Sequence, residues 1–314
     1  MKYSAALAFF VLAFSLPAQD TLPTKAPPDA LDGPPIVAAK AWAIADAKTG
    51  ELLWGAQEND VLAMASTTKI MCALLVMKLI AEDSTVLEEV VEVSAFSAAT
   101  RGSSARLQEG DKLPVSELLY GMLLPSGNDA ANVFAEHFGD RFPAPDAKDR
   151  AIAPDRAGGP NSGWFNFIAE MNREAARLSM AETHFNNPEG LDAETHHSTA
   201  RDMLRLGFAA YQHEAMRERI GTWRRVYDIR TPDGGTRTAT WTNTNQLLGI
   251  EGFLGMKTGT TRNAGSCLVS VGRRGDRELM MVVLNSSNGV GRYVDSRNLY
   301  RWAWQELVRQ RKQL

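Results

Sequence analysis

The sequence predicts an α+β fold in which one antiparallel sheet is assembled from the two ends of the chain, with a helical lobe inserted between them. Three observations carry this prediction: a strand hairpin near the start, a second hairpin near the end, and helical periodicity through the middle. Each half of the sheet lacks a partner of its own, so the two hairpins are expected to pair across the length of the chain.

The elements follow in order. Residues 41–45 and 51–54 are short strand-like runs joined by Asp46-Ala47-Lys48-Thr49-Gly50, a turn with glycine where a positive φ is useful. From Thr67 to Ala81, Ile70, Leu74, Met77 and Ile80 recur near helical spacing in a segment so apolar that it belongs in the core. Further helices are predicted over 115–124, 130–138, 164–178 and 199–211. Residues 265–271 and 278–284 form the second hairpin, around Gly272-Arg273-Arg274-Gly275-Asp276-Arg277. A last helix over 294–311 carries Trp302, Trp304, Leu307 and Val308 and is expected on the sheet rather than on a membrane surface. Residues 140–163, crowded with Pro, Asp, Ala and Gly, read as a surface insertion.

Composition narrows the function classes. The 314 residues are 44% hydrophobic and 23% charged, ordinary for a globular chain with a full core. A formal net charge of -3, with dispersed basic residues, leaves no electrostatic footprint for nucleic acid. Residues 1–18 combine a charged start, a short apolar run and Ala18, the pattern of a signal peptide. Residues 19–36 then read as a flexible lead-in, and 37–314 as a single domain. Cys72 and Cys267 lie in apolar stretches, as two buried thiols or a disulfide pair. Neither cysteines nor histidines show metal-ligand spacing, and no motif implies a cofactor.

Three motifs carry the chemistry. In Ser66-Thr67-Thr68-Lys69, a spacing of three puts Ser66 and Lys69 on one helical face. A serine hydroxyl needs a neighbour to take its proton, and a lysine can do so once burial or another cation lowers its pKa. Ser126-Gly127-Asn128 lies on a connection between two helices; Ser126 can relay a proton and Asn128 can bind a substrate amide. Lys257-Thr258-Gly259, continued by Thr260, precedes the second hairpin. On an edge strand Lys257 offers a fixed positive charge, Thr258 and Thr260 hydroxyls, and Gly259 close approach by a substrate backbone. The copy at Lys48-Thr49-Gly50 reads as turn chemistry.

In order and spacing this set resembles the active-site serine penicillin-recognising enzymes. Within them the chain is similar to the low-molecular-mass D-alanyl-D-alanine carboxypeptidases from about Val37 onward. Residues 64–71, 124–131, 183–192, 198–203 and 255–265 carry that likeness. The resemblance implies a five-stranded antiparallel sheet flanked by helices with an inserted all-helical lobe. It implies Ser66 as nucleophile, Lys69 as base with its pKa depressed by Lys257, and Ser126 as proton relay. Asn128, Lys257, Thr258, Gly259 and Thr260 become the substrate-binding residues, with the amides of Ser66 and Thr260 as oxyanion hole. The partners implied are peptidoglycan stem peptides ending in D-Ala-D-Ala and, as acylating inhibitors, β-lactams. The implied location is the periplasm or the outer face of the cytoplasmic membrane, with membrane attachment left open. Glu189, where relatives often show other polar residues, reads as a neutral change.

Three other readings use the same residues. A D,D-endopeptidase would cleave cross-links, and a β-lactam sensor would be acylated without turnover. A class A β-lactamase needs a Glu-x-x-Leu-Asn loop, which is absent between Ser126 and Lys257.

Overall fold

The computed structural model describes residues 33–146 and 159–311. The signal-peptide stretch 1–18, lead-in residues 19–32 and residues 147–158 of the insertion lie outside the described residues.

Five antiparallel strands form the main sheet in the order β2-β1-β9-β8-β7: β1 (Ala41–Asp46), β2 (Leu52–Ala56), β7 (Phe253–Thr261), β8 (Gly265–Arg274) and β9 (Arg277–Ser286). The two ends of the chain meet where β1 pairs with β9, Ala41 opposite Leu284 and Asp46 opposite Leu279. Along β1 the side chains alternate: Ala41, Ala43 and Ala45 enter one buried cluster, Trp42 and Ile44 another. The sheet is therefore covered on both faces, and its central strands read as unbroken apolar runs.

Helix α1 (Lys69–Glu82) is buried continuously from Lys69 to Met77, as its apolar circumference requires. It packs against α4 (Asn128–Phe138) and α6 (Ala200–Tyr211), which also covers β1 and β9. Thr199 does not continue α6 but caps it, its hydroxyl accepting from the Asp202 amide at 3.1 Å. On the opposite face lies α8 (Gly291–Arg311), with Tyr293, Leu299, Tyr300, Ala303, Trp304 and Leu307 against Ile44, Leu268, Met281 and Val283. The last helix thus packs on the sheet, and among the described residues no helix is long and apolar enough to cross a membrane.

The inserted region holds α2 (Ala95–Ala98), α3 (Val115–Leu123), α4, α5 (Ser162–Arg177), α6 and α7 (Glu214–Ile220). It also carries a second antiparallel sheet that the sequence reading omitted, of β3 (Val90–Glu92), β4 (Lys112–Pro114), β5 (Arg224–Arg230) and β6 (Thr236–Thr242). One side of this sheet is buried and the other is open, so Arg and Thr alternate with the inward residues and dilute the strand signal. Trp241 faces inward from β6, its indole N–H donating to the Ala105 carbonyl at 2.9 Å. At the base of the insertion, Asn161 caps α5 and donates to the Glu136 carbonyl near the end of α4, so residues 140–163 leave and rejoin the fold side by side. Cys72 and Cys267 are both buried and free, which closes the disulfide alternative.

Candidate active site

The first motif sits where a tight 3-10 turn, Ala65–Thr68, runs into α1. Ser66 therefore lies inside the turn and is not a capping residue. Lys69, 0% exposed, donates through Nζ to Ser66 Oγ at 2.9 Å, Asn128 Oδ1 at 2.7 Å and the Glu189 carbonyl at 2.6 Å. Those three acceptors match the three N–H bonds of an ammonium group. On loss of one proton, the freed lone pair has a hydroxyl within hydrogen-bond reach, the geometry of a nucleophile and its base. Burial lowers the Lys69 pKa to about 8, with the carboxylates of Glu189 and Asp129 pulling the other way. At pH 7 roughly a tenth of the molecules then hold a neutral lysine.

Ser126 lies on the short connection between α3 and α4, 4% exposed and two residues ahead of Asn128. The amide of Asn128 is committed at both ends: Oδ1 accepts from Lys69, and Nδ2 donates to the Arg101 carbonyl at 2.7 Å. In the unliganded site this residue orients the lysine. Asp129 behind it accepts from Ser104 Oγ and from the amides of Ala105 and Leu107, which fixes the wall formed by residues 104–107.

The third motif lies on β7, the edge strand that the sequence predicts. At Gly259 an added Cβ would stand 2.8 Å from the Ser66 amide nitrogen and 3.0 Å from the Met64 carbonyl, so only glycine allows the strand to lie against the serine turn. The Ser66 amide and the exposed Thr260 therefore border the same space. Thr258 shares a hydrogen bond with Thr244 at 2.7 Å, and Thr244 in turn accepts from the Tyr293 hydroxyl. Arg292 braces the strand by donating to the carbonyls of Gly259 and Cys267 at 2.8 and 3.1 Å.

Lys257 lies on β7 with its Nζ donating to the Thr258 carbonyl at 2.9 Å. It is 0% exposed, and burial, with repulsion from Lys69 and Arg292, holds its pKa well below the ordinary lysine value. Burial, ahead of any neighbouring cation, is also the main cause of the shift in Lys69.

Residues near Ala65, Ser126 and Met256 share a backbone signature. These three have φ of 50°, 66° and 109°, at or beside the three motifs. Each left-handed or outlying conformation costs about 1–3 kcal/mol, which tight surroundings must offset.

A fourth segment, from the stretch 183–192 that carries the family likeness, supplies a contact to Lys69 and Ser66 that the three motifs do not name. The Glu189 carbonyl accepts from Lys69 and, at 3.3 Å, from Ser66 Oγ. Its loop is held at one end by Asp192, which accepts from Thr261 Oγ1 at 2.5 Å and the Asn263 amide at 3.1 Å. At the other end the Asn186 amide donates to His196 Nδ1 at 3.0 Å, so Nε2 carries the proton and donates to Thr68 Oγ1 at 2.8 Å. Burial pushes the His196 pKa down to about 3, and the imidazole stays neutral. Gly190, with φ of 88°, was the available signal: a glycine there marks close backbone approach.

The family model described as D-alanyl-D-alanine carboxypeptidase matches residues 29–141 and 150–288. A D-alanyl-D-alanine carboxypeptidase of Streptomyces sp. (strain K15) is 30% identical over 310 residues, covering 97% of this chain and 99% of that protein. D-alanyl-D-alanine carboxypeptidase DacC of Escherichia coli is 32% identical over 283 residues; these cover 86% of this chain and only 62% of the relative's length. A D-alanyl-D-alanine endopeptidase of Pseudomonas aeruginosa is 27% identical over 302 residues, with 94% and 87% covered. Among solved structures, the Streptomyces K15 DD-transpeptidase superposes with a TM-score of 0.75 at 30% identity, covering 87% of this chain and 99% of that one.

Proposed function

The chain belongs to the D-alanyl-D-alanine carboxypeptidase family of serine peptidases, and from that premise we propose that it removes the terminal D-alanine from peptidoglycan stem peptides through an acyl-enzyme on Ser66. The observation that carries this reading is the direct chain from Ser66 Oγ to Lys69 Nζ to Asn128 Oδ1, buried against an edge strand that carries a second lysine.

In this reading the terminal carboxylate of the substrate lies against Lys257, Thr258 and Thr260, and its charge favours the ammonium form of Lys257. Lys69, neutral at that moment, accepts the Ser66 proton as Oγ bonds to the carbonyl carbon of the penultimate D-alanine. The negative charge gathers on the carbonyl oxygen, where the amides of Ser66 and Thr260 receive it, each donor contributing about 3 kcal/mol to lowering the barrier. The C–N bond then breaks, the proton passes through Ser126 to the departing amine, and free D-alanine leaves. Water then gives a proton to Lys69 as its oxygen bonds to the ester carbon, the C–O bond to Ser66 breaks, and Lys69 returns that proton to Ser66 Oγ. A β-lactam enters by the same attack, the opened ring remaining on Ser66. The substrate lies outside the cytoplasmic membrane, in keeping with the signal-peptide pattern of residues 1–18.

The endopeptidase relative favours one second reading, hydrolysis of cross-links by the same residues. One experiment separates the two: the purified protein is given a pentapeptide ending in D-Ala-D-Ala and, separately, a cross-linked dimer. Free D-alanine from the pentapeptide is the expected result. Monomer from the dimer without D-alanine release selects the endopeptidase, and acylation by penicillin with neither product selects a sensor.

A further inference from the structure

Glu189 touches the site through its backbone carbonyl, yet the residue as a whole is 1% exposed, so its carboxyl group is enclosed beside the base. On the reading of Lys69 as the base for Ser66, we infer that the Glu189 carboxylate is a built-in counter-charge that keeps a proton on Lys69 in the resting enzyme and delays Ser66 acylation until that proton leaves.

The geometry begins at the 2.6 Å contact between Lys69 Nζ and the Glu189 carbonyl. A carboxylate on the same residue cannot stand more than about one side-chain length from the ammonium group, roughly 8 Å at most. Both groups are buried, so neither bulk water nor salt screens their attraction. The Glu189 carbonyl also accepts from Ser66 Oγ at 3.3 Å, which puts the residue against the start of α1, where its charge acts on Lys69 and Cys72.

The other groups facing Lys69 do not replace it. The Cys72 thiol is pushed up by burial and stays neutral. Asp129 on α4 spreads its charge over Ser104 Oγ and three backbone amides. His196, on the loop that carries Glu189, is neutral above about 3. Lys257 on β7, with Arg292 behind it, is driven toward the neutral form. Ser66 and Asn128 are uncharged hydrogen-bond partners. Burial drives the Lys69 proton off and the Glu189 carboxylate holds it on; the balance falls at about 8. Glu189 acts through Lys69 and is a positioning residue for the proton, not a group that touches substrate.

The sign of the test follows. Glu189→Gln keeps the backbone carbonyl and the side-chain volume and removes the charge, so Lys69 gives up its proton more easily. Benzylpenicillin acylation is timed from about pH 5 to about pH 9. In the natural protein the rate falls about tenfold per unit well below the Lys69 pKa. The acid limb of E189Q is expected about one unit lower, raising the rate at pH 6 by up to about tenfold and leaving the alkaline plateau little changed. Glu194→Gln, an exposed carboxylate on the same loop, is expected to leave the limb in place.

An unmoved limb in E189Q overturns the counter-charge. A natural protein with no limb near pH 8 overturns Lys69 as the base, and the counter-charge with it. If E189Q does not fold, carbon NMR of the natural protein labelled at lysine Cε and glutamate Cδ decides. One glutamate resonance, absent from a E189D sample at that shift, is expected to move with the Lys69 midpoint, and a Lys69 titration that no glutamate follows overturns the pairing.

Discussion

Lys69→Met is expected to slow benzylpenicillin acylation by at least about a thousandfold while the protein stays folded. Methionine nearly matches lysine in length and suits a site that is fully buried, so the side-chain volume survives. What disappears is the atom within 2.9 Å of Ser66 Oγ that can take its proton. Asn128 Oδ1 and the Glu189 carbonyl lose a donor as well, at about 1–3 kcal/mol for each buried acceptor left unpaired. Lys69→Arg distinguishes a proton acceptor from a mere positive charge. Guanidinium does not give up its proton in this range, so K69R is also expected to be inactive. Near-natural acylation by K69R, measured by quenched-flow labelling, contradicts the base assignment.

Gly190→Val is expected to cost at least about 3 kcal/mol of stability and most of the acylation rate. An added Cβ would stand 2.1 Å from the Ala65 carbonyl oxygen, and the φ of 88° is one that a β-branched residue does not tolerate. The clash is with the backbone of Ala65 and Ser66, so the loop has to lift, and it takes the Glu189 carbonyl away from Lys69 and Ser66. Gly234→Ala supplies the comparison: φ there is 85°, but nothing lies within 4 Å of the added Cβ. That variant is expected to lose about 1 kcal/mol, the conformational part alone, and to acylate normally. Urea denaturation and penicillin labelling on both proteins check the pair. Equal losses would mean that the approach of the 190 loop to the serine turn contributes nothing.

These effects also show where the sequence was readable and where it was not. Ser66, Lys69 and Asn128 were legible because their chemistry resides in side chains at helical spacing or in motifs, and the structure joins them by direct hydrogen bonds. The strands β8 and β9 were legible because burial on both faces leaves their central residues no polar alternation. The β5–β6 hairpin was not, since Thr and Arg on its open side mask the inward Ile229 and Trp241. Its turn signal, Pro232-Asp233-Gly234-Gly235, stood in the sequence unused. Glu189 reads as a neutral change from sequence because its contact with the site is a backbone carbonyl, which any residue type supplies, and because the burial of its carboxylate depends on the path of a loop.

The most direct measurement of the central claim is peptide mapping by mass spectrometry after brief exposure to benzylpenicillin, with Ser66→Ala alongside. A single penicilloyl group on the peptide that contains Ser66, absent from S66A, is the predicted result. An unmodified natural protein, or an adduct that persists in S66A, would contradict Ser66 as the nucleophile.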